Sequence, residues 1–460
     1  MDNPLQIGLS HWLTWFKRSV NRRILGAIIT VGGLAFLVKM AGLCKELIIA
    51  QQFGTSDALD AFLIAFLMPS FAINVVAGSF NASIIPTFIQ VRENNGKRAA
   101  QSLFSSVMVW SILLLLGLSF LLAIVAPYIF PILGSGFGSE KIGLTQTLFY
   151  LLLPILFFSG LATIWASILN AGERFALAAI APIITPGITV VALMVFGRGV
   201  GIYALVIGTV MGYVSEAGLL LAGLRKQGFS LIPRWYGLDV PMKKVIGQYL
   251  PMTAGAILMG STSFVDQSMA AMLGPGSVSV LSYGNKLIGF ILGVGSLALS
   301  TAVFPHFSRM VAVKDWIGVR YTLKTYIRLV LVITIPLVLL FMYFSEPIVK
   351  ILFERGAFSA TDTRFVANVQ ILYLMQVPFY MTGMLGVRLL SALIKNQILM
   401  GISAVNLVTN IVGNCVFVRY MGVAGISLST SIVYAISMFL IFLSLFKQLR
   451  KEETHECEDF

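Results

Sequence analysis

Long apolar stretches recur along nearly the whole chain, and they constrain its fold more than any other feature. Twelve of them approach the roughly 20 residues that a helix needs to cross a bilayer, and they begin near positions 25, 58, 104, 144, 178, 202, 245, 278, 326, 365, 399 and 423. Backbone groups in lipid must be satisfied within the segment, so stretches of this length indicate helices rather than barrel strands. Of the 460 residues, 58% are hydrophobic and 11% charged, which leaves too few polar side chains to coat a water-soluble core. The sequence therefore predicts an all-α integral membrane protein with about twelve transmembrane helices.

The surplus of basic residues follows these predicted spans and does not form a separate domain. The formal net charge is +13, from 32 Lys and Arg against 19 Asp and Glu. A nucleic-acid partner would require such charges on a polar domain, and no polar stretch is long enough to form one. With the N-terminus in the cytoplasm, most basic residues fall in cytoplasmic loops, as the positive-inside rule requires for an even number of spans. We therefore expect both termini in the cytoplasm and no nucleic-acid partner.

The chain also resembles itself weakly at an offset of 220 residues. Glu46 is followed eight residues later by Gly54, and Asp266 is followed eight residues later by Gly274, each time near the end of the first helix of a six-helix half. Internal repeats of this kind are typical of transporters with two lobes around a central cavity. The predicted division is an amphipathic cytoplasmic lead-in at 1–23, a first lobe at 24–224, a cytoplasmic linker at 225–244, a second lobe at 245–447 and a charged cytoplasmic tail at 448–460.

Charged side chains within the predicted spans are the strongest candidates for function. A charge at the bilayer centre costs about 2.5–3.5 kcal/mol on insertion scales, so each one needs a partner, a water-filled cavity or a task. Lys39, Lys45 and Glu46 share one side of the first predicted helix, which we expect to face the cavity. Lys286 has no acidic residue within four positions. This pattern favours contact with an anionic ligand, with a structural pair to Asp266 or Glu46 as the alternative.

Four other acidic residues lie in or near the ends of predicted spans. Asp266 stands among Ser, Thr and Gln residues, a polar patch that must point away from lipid. Asp57 and Asp60 begin the second span, where a carboxylate serves as a helix cap or as part of a gate. Glu216 is close enough to the end of the sixth span for its side chain to reach the interface.

The sequence lacks the usual signatures of catalysis, cofactors and metals. It has no glycine-rich phosphate loop ending in Lys-Ser/Thr, no paired Cys or His at metal spacing, and no nucleophile beside a base. We therefore expect a protein that is not an enzyme and carries no cofactor or metal. Transport by such a chain would be driven by an H⁺ or Na⁺ gradient, by the membrane potential or by the substrate gradient itself.

Three segments resemble the MviN/MurJ lipid II flippase family of the multidrug/oligosaccharidyl-lipid/polysaccharide (MOP) exporter superfamily, which also contains the MATE transporters. The first is 42–71, with its Lys-Glu pair, Phe-Gly turn and Asp-Ala-Phe; the second is 265–310, close to the most characteristic stretch of the family; the third is 352–363, LFERGAFSATDT. The resemblance implies a MATE-like fold of two six-helix lobes that open alternately to each side. It also implies a bacterial inner-membrane location and outward movement of a polyprenyl-pyrophosphate-linked sugar precursor.

In this family, arginines lining the cavity hold the pyrophosphate, and the resemblance places those positions at Lys39, Lys45 and Lys286, with the family acid at Glu46. Lysine keeps the positive charge but lacks the bidentate fork of arginine. The family's Arg pair after Pro69 is replaced near Ile73 and Asn74. The resemblance thus implies substrate contact at the three lysines, charge balance or ion coupling at Glu46 and Asp266, and a lipid-linked glycan for peptidoglycan or exopolysaccharide assembly.

Two other functions remain open on the sequence alone. One is a cation-coupled exporter of small molecules with the same fold, and the other is a membrane scaffold that transports nothing. We expect a monomer that interacts with membrane lipids and with its lipid-linked substrate.

Overall fold

The computed structural model describes residues 19–172, 175–230 and 232–458, and these ranges are helical apart from short connections. The helices are α1 (Ser19–Phe53), α2 (Asp57–Leu133), α3 (Ser139–Ala171), α4 (Phe175–Ile180), a 3₁₀ turn (Ala181–Ile183), α5 (Ile184–Val200), α6 (Ile202–Lys226), α7 (Val240–Ala271), α8 (Ser277–Ala312), α9 (Trp316–Tyr343), α10 (Ser345–Phe353), α11 (Ala360–Leu374), α12 (Gln376–Ala392), α13 (Asn396–Met421) and α14 (Val423–Glu458). No strand occurs in the described ranges, which confirms the predicted all-α class. Of the predicted lead-in at 1–23, residues 1–18 lie outside the described ranges, as do residues 459–460 of the predicted tail.

Eight helical segments in the described part of the chain are long and apolar enough to cross a membrane. One of them, α2, has 77 residues, and its backbone leaves helical geometry at Gly96, where φ is 80°. At 1.5 Å per residue, its two arms are each long enough to span a bilayer. The exact count of twelve spans stays a prediction.

The chain divides into two compact units. The first comprises the described residues up to Ile48 together with Val76–Ser119 and Pro154–Tyr249, and the second comprises Ile49–Val75, Phe120–Leu153 and the residues from Leu250 onward. The second unit therefore contains segments from both halves of the sequence. The lobe boundaries predicted at 224 and 245 stay predictions.

The segment between α6 and α7 is fixed to α2 within the first unit. The side-chain amide of Gln101 donates to the Ser230 carbonyl at 2.8 Å and accepts from the Ser230 N–H at 3.0 Å. The Tyr236 N–H donates to Ser106 Oγ at 3.2 Å. Phe229 packs against Phe104, with ring centroids 5.5 Å apart. This predicted linker is therefore held along the arm of α2 that follows Gly96.

Candidate functional site

A buried carboxylate in the second unit joins the start of α2 to the start of α8. The side chain of Asp60 is completely buried. It accepts hydrogen bonds from the Gly276 N–H and the Ser279 N–H, both at 2.8 Å, and from Ser279 Oγ at 2.6 Å. The first N–H groups of a helix have no partner within that helix and carry its positive dipole end, so an anion is stabilised there. Asp60 thus caps α8, a helix 216 residues further along the chain.

Lys141 of α3 completes this arrangement. Its ammonium lies 3.0 Å from Asp60 Oδ2 and also pairs with Asp57. The same ammonium lies 3.9 Å from the centre of the Phe137 ring. The α2 helix itself is capped by Ser56, whose side chain accepts from the Leu59 N–H. The two acids predicted as a gate or cap are therefore brought together around one lysine, and we call Asp57, Asp60, Lys141, Gly276 and Ser279 the Asp60 lock.

A second set of contacts lies next to the Asp60 lock, where the turn after α1 meets the loop before α11. The Ala357 N–H donates to the Gln51 carbonyl at 2.9 Å. Thr55 Oγ1 donates to Asp362 at 2.5 Å. Gly276 has φ +78°, and a Cβ there would lie 2.6 Å from the Thr55 carbonyl oxygen, so only glycine fits. Segments from the two halves of the sequence are thus bound directly to each other within the second unit.

Asp266 forms a separate polar cluster inside the second unit, between α7, α13 and α14. Its Oδ1 accepts from Asn410 Nδ2 at 2.9 Å and from Asn414 Nδ2 at 2.7 Å, and its Oδ2 accepts from Thr430 Oγ1 at 3.1 Å. Asp266, Asn410 and Asn414 are all buried. Three oriented dipoles therefore stabilise a negative charge in this cluster, and no Lys or Arg of the described part pairs with it.

The three predicted substrate lysines are divided between the units. Lys39 and Lys45 belong to the first unit, and Lys286 belongs to the second. Lys45 Nζ lies 3.1 Å from Glu46 Oε1, so these two predicted residues form an ion pair with side chains 28% and 16% exposed. Lys39 is exposed, and Lys286 is half-buried in α8. Their predicted contact with substrate stays a prediction.

Sequence reasoning missed the partners of the two buried aspartates. Lys141, Ser279, Asn410, Asn414 and Thr430 contact Asp60 or Asp266 across more than 80 positions in the chain. No local spacing indicates contacts at this range. The one available signal was the presence of two asparagines four residues apart in an apolar stretch, which places both amides on one face of a helix. Among the described residues, no group of three or more His, Cys, Asp or Glu side chains is arranged to hold a metal ion.

Solved structures with the same fold include transporters of two kinds. A lipid II flippase MurJ in an inward closed conformation superposes with a TM-score of 0.80 at 23% identity, covering 92% of this chain and 90% of that one. An inward-facing multidrug resistance MATE transporter of the MOP superfamily gives a TM-score of 0.73 at 15% identity, covering 92% and 99%. At these identities the likeness shows the fold alone, and it confirms the predicted MATE-like architecture.

Sequence comparison narrows the fold to a family. The chain is 27% identical over 447 residues to a lipid II flippase MurJ of Burkholderia cenocepacia, covering 92% of this chain and 84% of that protein. It is 25% identical over 454 residues to a probable lipid II flippase MurJ of Vibrio cholerae, covering 94% and 85%. The model of the family described as "Lipid II flippase MurJ" matches residues 49–460. The chain therefore belongs to the MurJ family, as the three sequence segments predicted.

Proposed function

We propose that this chain is a flippase that moves a polyprenyl-pyrophosphate-linked saccharide across the bacterial inner membrane by alternating access, for peptidoglycan or exopolysaccharide assembly. The observation that carries the proposal is the family match over residues 49–460. Relatives named as lipid II flippases align over more than 80% of their own length, so the similarity extends through most of each relative. Both termini lie in the cytoplasm in this proposal, and the protein works as a monomer.

Lys39, Lys45 and Lys286 contact the anionic head group in the proposed mechanism. Each ammonium is a point charge that a pyrophosphate can meet from several directions, whereas an arginine would offer a planar fork. The ion pair of Lys45 with Glu46 balances the charge while no substrate is bound. Arrival of the pyrophosphate would then compete with the Glu46 carboxylate for the same ammonium.

The Asp60 lock is the gate of the proposed cycle. It binds segments of both sequence halves to each other through four donors on one buried carboxylate. Alternating access requires that such contacts break in one half of the cycle and form again in the other. A buried carboxylate that accepts several hydrogen bonds suits this task, because its contacts form or break together.

A cation-coupled cycle is the second candidate, and the Asp266 cluster favours it. A buried carboxylate surrounded by amide and hydroxyl groups offers oxygen atoms to H⁺ or Na⁺. Coupling at Asp266 is compatible with either a lipid-linked or a small-molecule substrate. The basic residues proposed at the substrate site disfavour cationic drugs through like-charge repulsion.

Transport by purified protein in proteoliposomes tests the proposal. We would measure transbilayer movement of labelled lipid II and of a second polyprenyl-pyrophosphate glycan for the wild type, Lys286→Gln and the control Lys350→Gln, which changes an exposed lysine of α10. We expect one of the two glycans to move and Lys286→Gln to lose at least about tenfold in rate, while Lys350→Gln stays near wild type. Undiminished rates in Lys286→Gln would remove that residue from the mechanism.

The same assay separates the other functions. If neither glycan moves but cationic compounds are exported, the cation-coupled exporter replaces the flippase. If nothing moves, and joint neutral replacement of Lys39, Lys45 and Lys286 leaves the cellular function intact, the protein is a scaffold.

A further inference from the structure

The first unit contains a buried carboxylate that has no role in the proposed transport cycle. Glu216 lies on α6 and is 8% exposed. Its Oε2 accepts a 2.7 Å hydrogen bond from Thr185 Oγ1 of α5. The sequence predicted that this side chain reaches the interface, but the structure buries it between helices. A charge inside a membrane protein requires a partner or a function.

Close packing of α6 on α5 fixes where Glu216 lies. A Cβ added at Gly208 would come within 2.8 Å of Thr189 Cα, and one added at Gly212 would come within 2.8 Å of Thr185 Cα. The two backbones therefore approach each other along this face of α6. Glu216 follows one turn after Gly212, so the register places it beside the start of α5 and the 3₁₀ turn that precedes it.

The helix that faces Glu216 is interrupted at this level. The turn Ala181–Ile183 is 3₁₀, with Pro182 inside it and Pro186 just beyond. Proline has no N–H, so the carbonyls four residues before these prolines, those of Ala178 and Pro182, lack the usual helical donor. Interrupted transmembrane helices with freed carbonyls are a recurrent feature of ion and proton sites in transporters. Glu216 and these carbonyls are all acceptors when the carboxyl is ionised.

The described stretches of α3, α4 and α5 that lie beside α6 near Glu216 carry no charged side chain. The one titratable neighbour on its own helix is Tyr213. Residues 175–197, which form α4, the 3₁₀ turn and most of α5, contain no Asp, Glu, Lys, Arg or His, and the same holds for the 154–171 part of α3. Arg198, Arg225 and Lys226 lie nine or more residues along the chain from Glu216 or Thr185. Within the described residues, no basic side chain pairs with this carboxylate.

We propose that Glu216 is a proton-binding site whose occupancy sets the geometry of the break between α4 and α5. A proton taken from water converts Oε1 or Oε2 into a donor for a backbone oxygen at the break, and its return to water removes that bond. A bound metal cation fits less well, because such ions take about six oxygen ligands and one hydroxyl is the side-chain partner present. The site supplies proton coupling to the proposed flippase cycle, and that link alone rests on the proposed function.

Infrared spectroscopy of the full-length protein in lipid nanodiscs tests the site without any substrate. We would record difference spectra between pH 5 and pH 8 with ¹³C-labelled glutamate, which separates glutamate carboxyl bands from those of aspartate. We expect a protonated glutamate C=O band that titrates in the wild type, is lost in Glu216→Gln and persists in Glu93→Gln, a matched change at an exposed glutamate of the same unit. Spin labels at the exposed positions Phe175 and Val195 should report a pH-dependent distance across the break that is constant in Glu216→Gln.

Every outcome of these experiments either supports or overturns the proposal that Glu216 binds a proton. A band that survives in Glu216→Gln, or a wild type without a titrating glutamate band, overturns it, and so does a band that responds to Na⁺ but not to pH. If Glu216→Gln does not fold, Thr185→Val takes its place, because it removes the side-chain donor to Glu216: the titrating band should shift in this variant, and an unshifted band would overturn the proposal. If the band and the distance behave as expected but no glycan is flipped, Glu216 stands as a proton site and the proposed flippase function fails separately.

Discussion

Two acids three residues apart in α2 show how burial divides roles between neighbouring side chains. Asp60 is completely buried and accepts from three N–H or O–H donors besides Lys141. Asp57 shares the same lysine but its side chain is 57% exposed. A buried carboxylate with every oxygen satisfied is costly to alter, because each abandoned donor loses its partner without gaining water. An exposed ion pair is weak, because water and salt screen it.

Replacing Asp60 by Asn should therefore disrupt the Asp60 lock, whereas replacing Asp57 by Asn should not. The carboxamide accepts through one oxygen and turns its NH₂ group toward donors, so at least one of the four hydrogen bonds is lost and another becomes repulsive. We expect the free energy that holds α2 and α8 together to fall by about 3 kcal/mol or more. We also expect the flipping rate to fall more than tenfold. Asp57→Asn should change the rate by less than about fivefold. Equal effects of the two variants in proteoliposomes would show that burial does not separate their roles.

Asp266 offers a second test at the residue scale. Asp266→Asn keeps the shape of the side chain but removes the charge that Asn410, Asn414 and Thr430 surround. We expect the variant to have a lower apparent Tm, because the new NH₂ group faces side chains that are themselves donors, and to lose the dependence of transport on an imposed H⁺ or Na⁺ gradient. Asp239→Asn, at an exposed acid just before α7, serves as the matched control. Full gradient dependence in Asp266→Asn would place the coupling site elsewhere.

At the scale of single helices, the way in which a helix ends can force a residue into an unfavourable backbone conformation. The α12 helix ends in a Schellman arrangement, with the Lys395 N–H donating to the Leu390 carbonyl at 2.9 Å and the Ile394 N–H donating to the Ser391 carbonyl at 3.1 Å. This motif puts Ile394 at φ +59°, a conformation that glycine adopts freely and a β-branched residue adopts only under strain. The sequence gives no sign of the strain, because Ile is an ordinary residue for an apolar stretch.

Ile394→Gly should consequently stabilise the protein. The side chain is 85% exposed, so little packing is lost, and removing Cβ relieves about 1 kcal/mol of backbone strain. A matched control is Ile351→Gly, at a 75% exposed isoleucine inside α10, where glycine should cost about 1 kcal/mol. Thermal unfolding in detergent should show Tm changes of opposite sign for the two variants. A lower Tm for Ile394→Gly would argue against the strained conformation.

At the scale of the whole molecule, the second unit is assembled from segments of both sequence halves. The turn after α1 is bound to the loop before α11 through Gln51 and Ala357 and through Thr55 and Asp362. The gate proposed at the neighbouring Asp60 lock requires that these contacts separate in every transport cycle. A covalent bond across them should therefore stop transport.

A reversible cross-link tests this requirement. We would introduce Thr55→Cys and Asp362→Cys after changing Cys44, Cys415 and Cys457 to Ser, and measure flipping under oxidising and reducing conditions. We expect loss of transport after oxidation and recovery after reduction, while each single-cysteine variant stays insensitive to the oxidant. A cross-linked protein that still flips substrate would exclude separation of these segments from the cycle.

The sequence by itself determined the class of this protein, because hydropathy over about 20 residues and the requirement for internal backbone hydrogen bonds admit only helices. It also determined the family, because three segments resemble that family in their sequence of residues. It identified Asp266 as a costly charge inside an apolar stretch, and Asp60 as a helix cap or part of a gate at the start of a span. Only the tertiary structure decided what each one contacts: Asp60 caps a helix more than 200 residues away, and Asp266 is enclosed by two asparagines and a threonine from the last two helices. Such contacts depend on which helices pack together and at what register, and neither is encoded in the local spacing of residues.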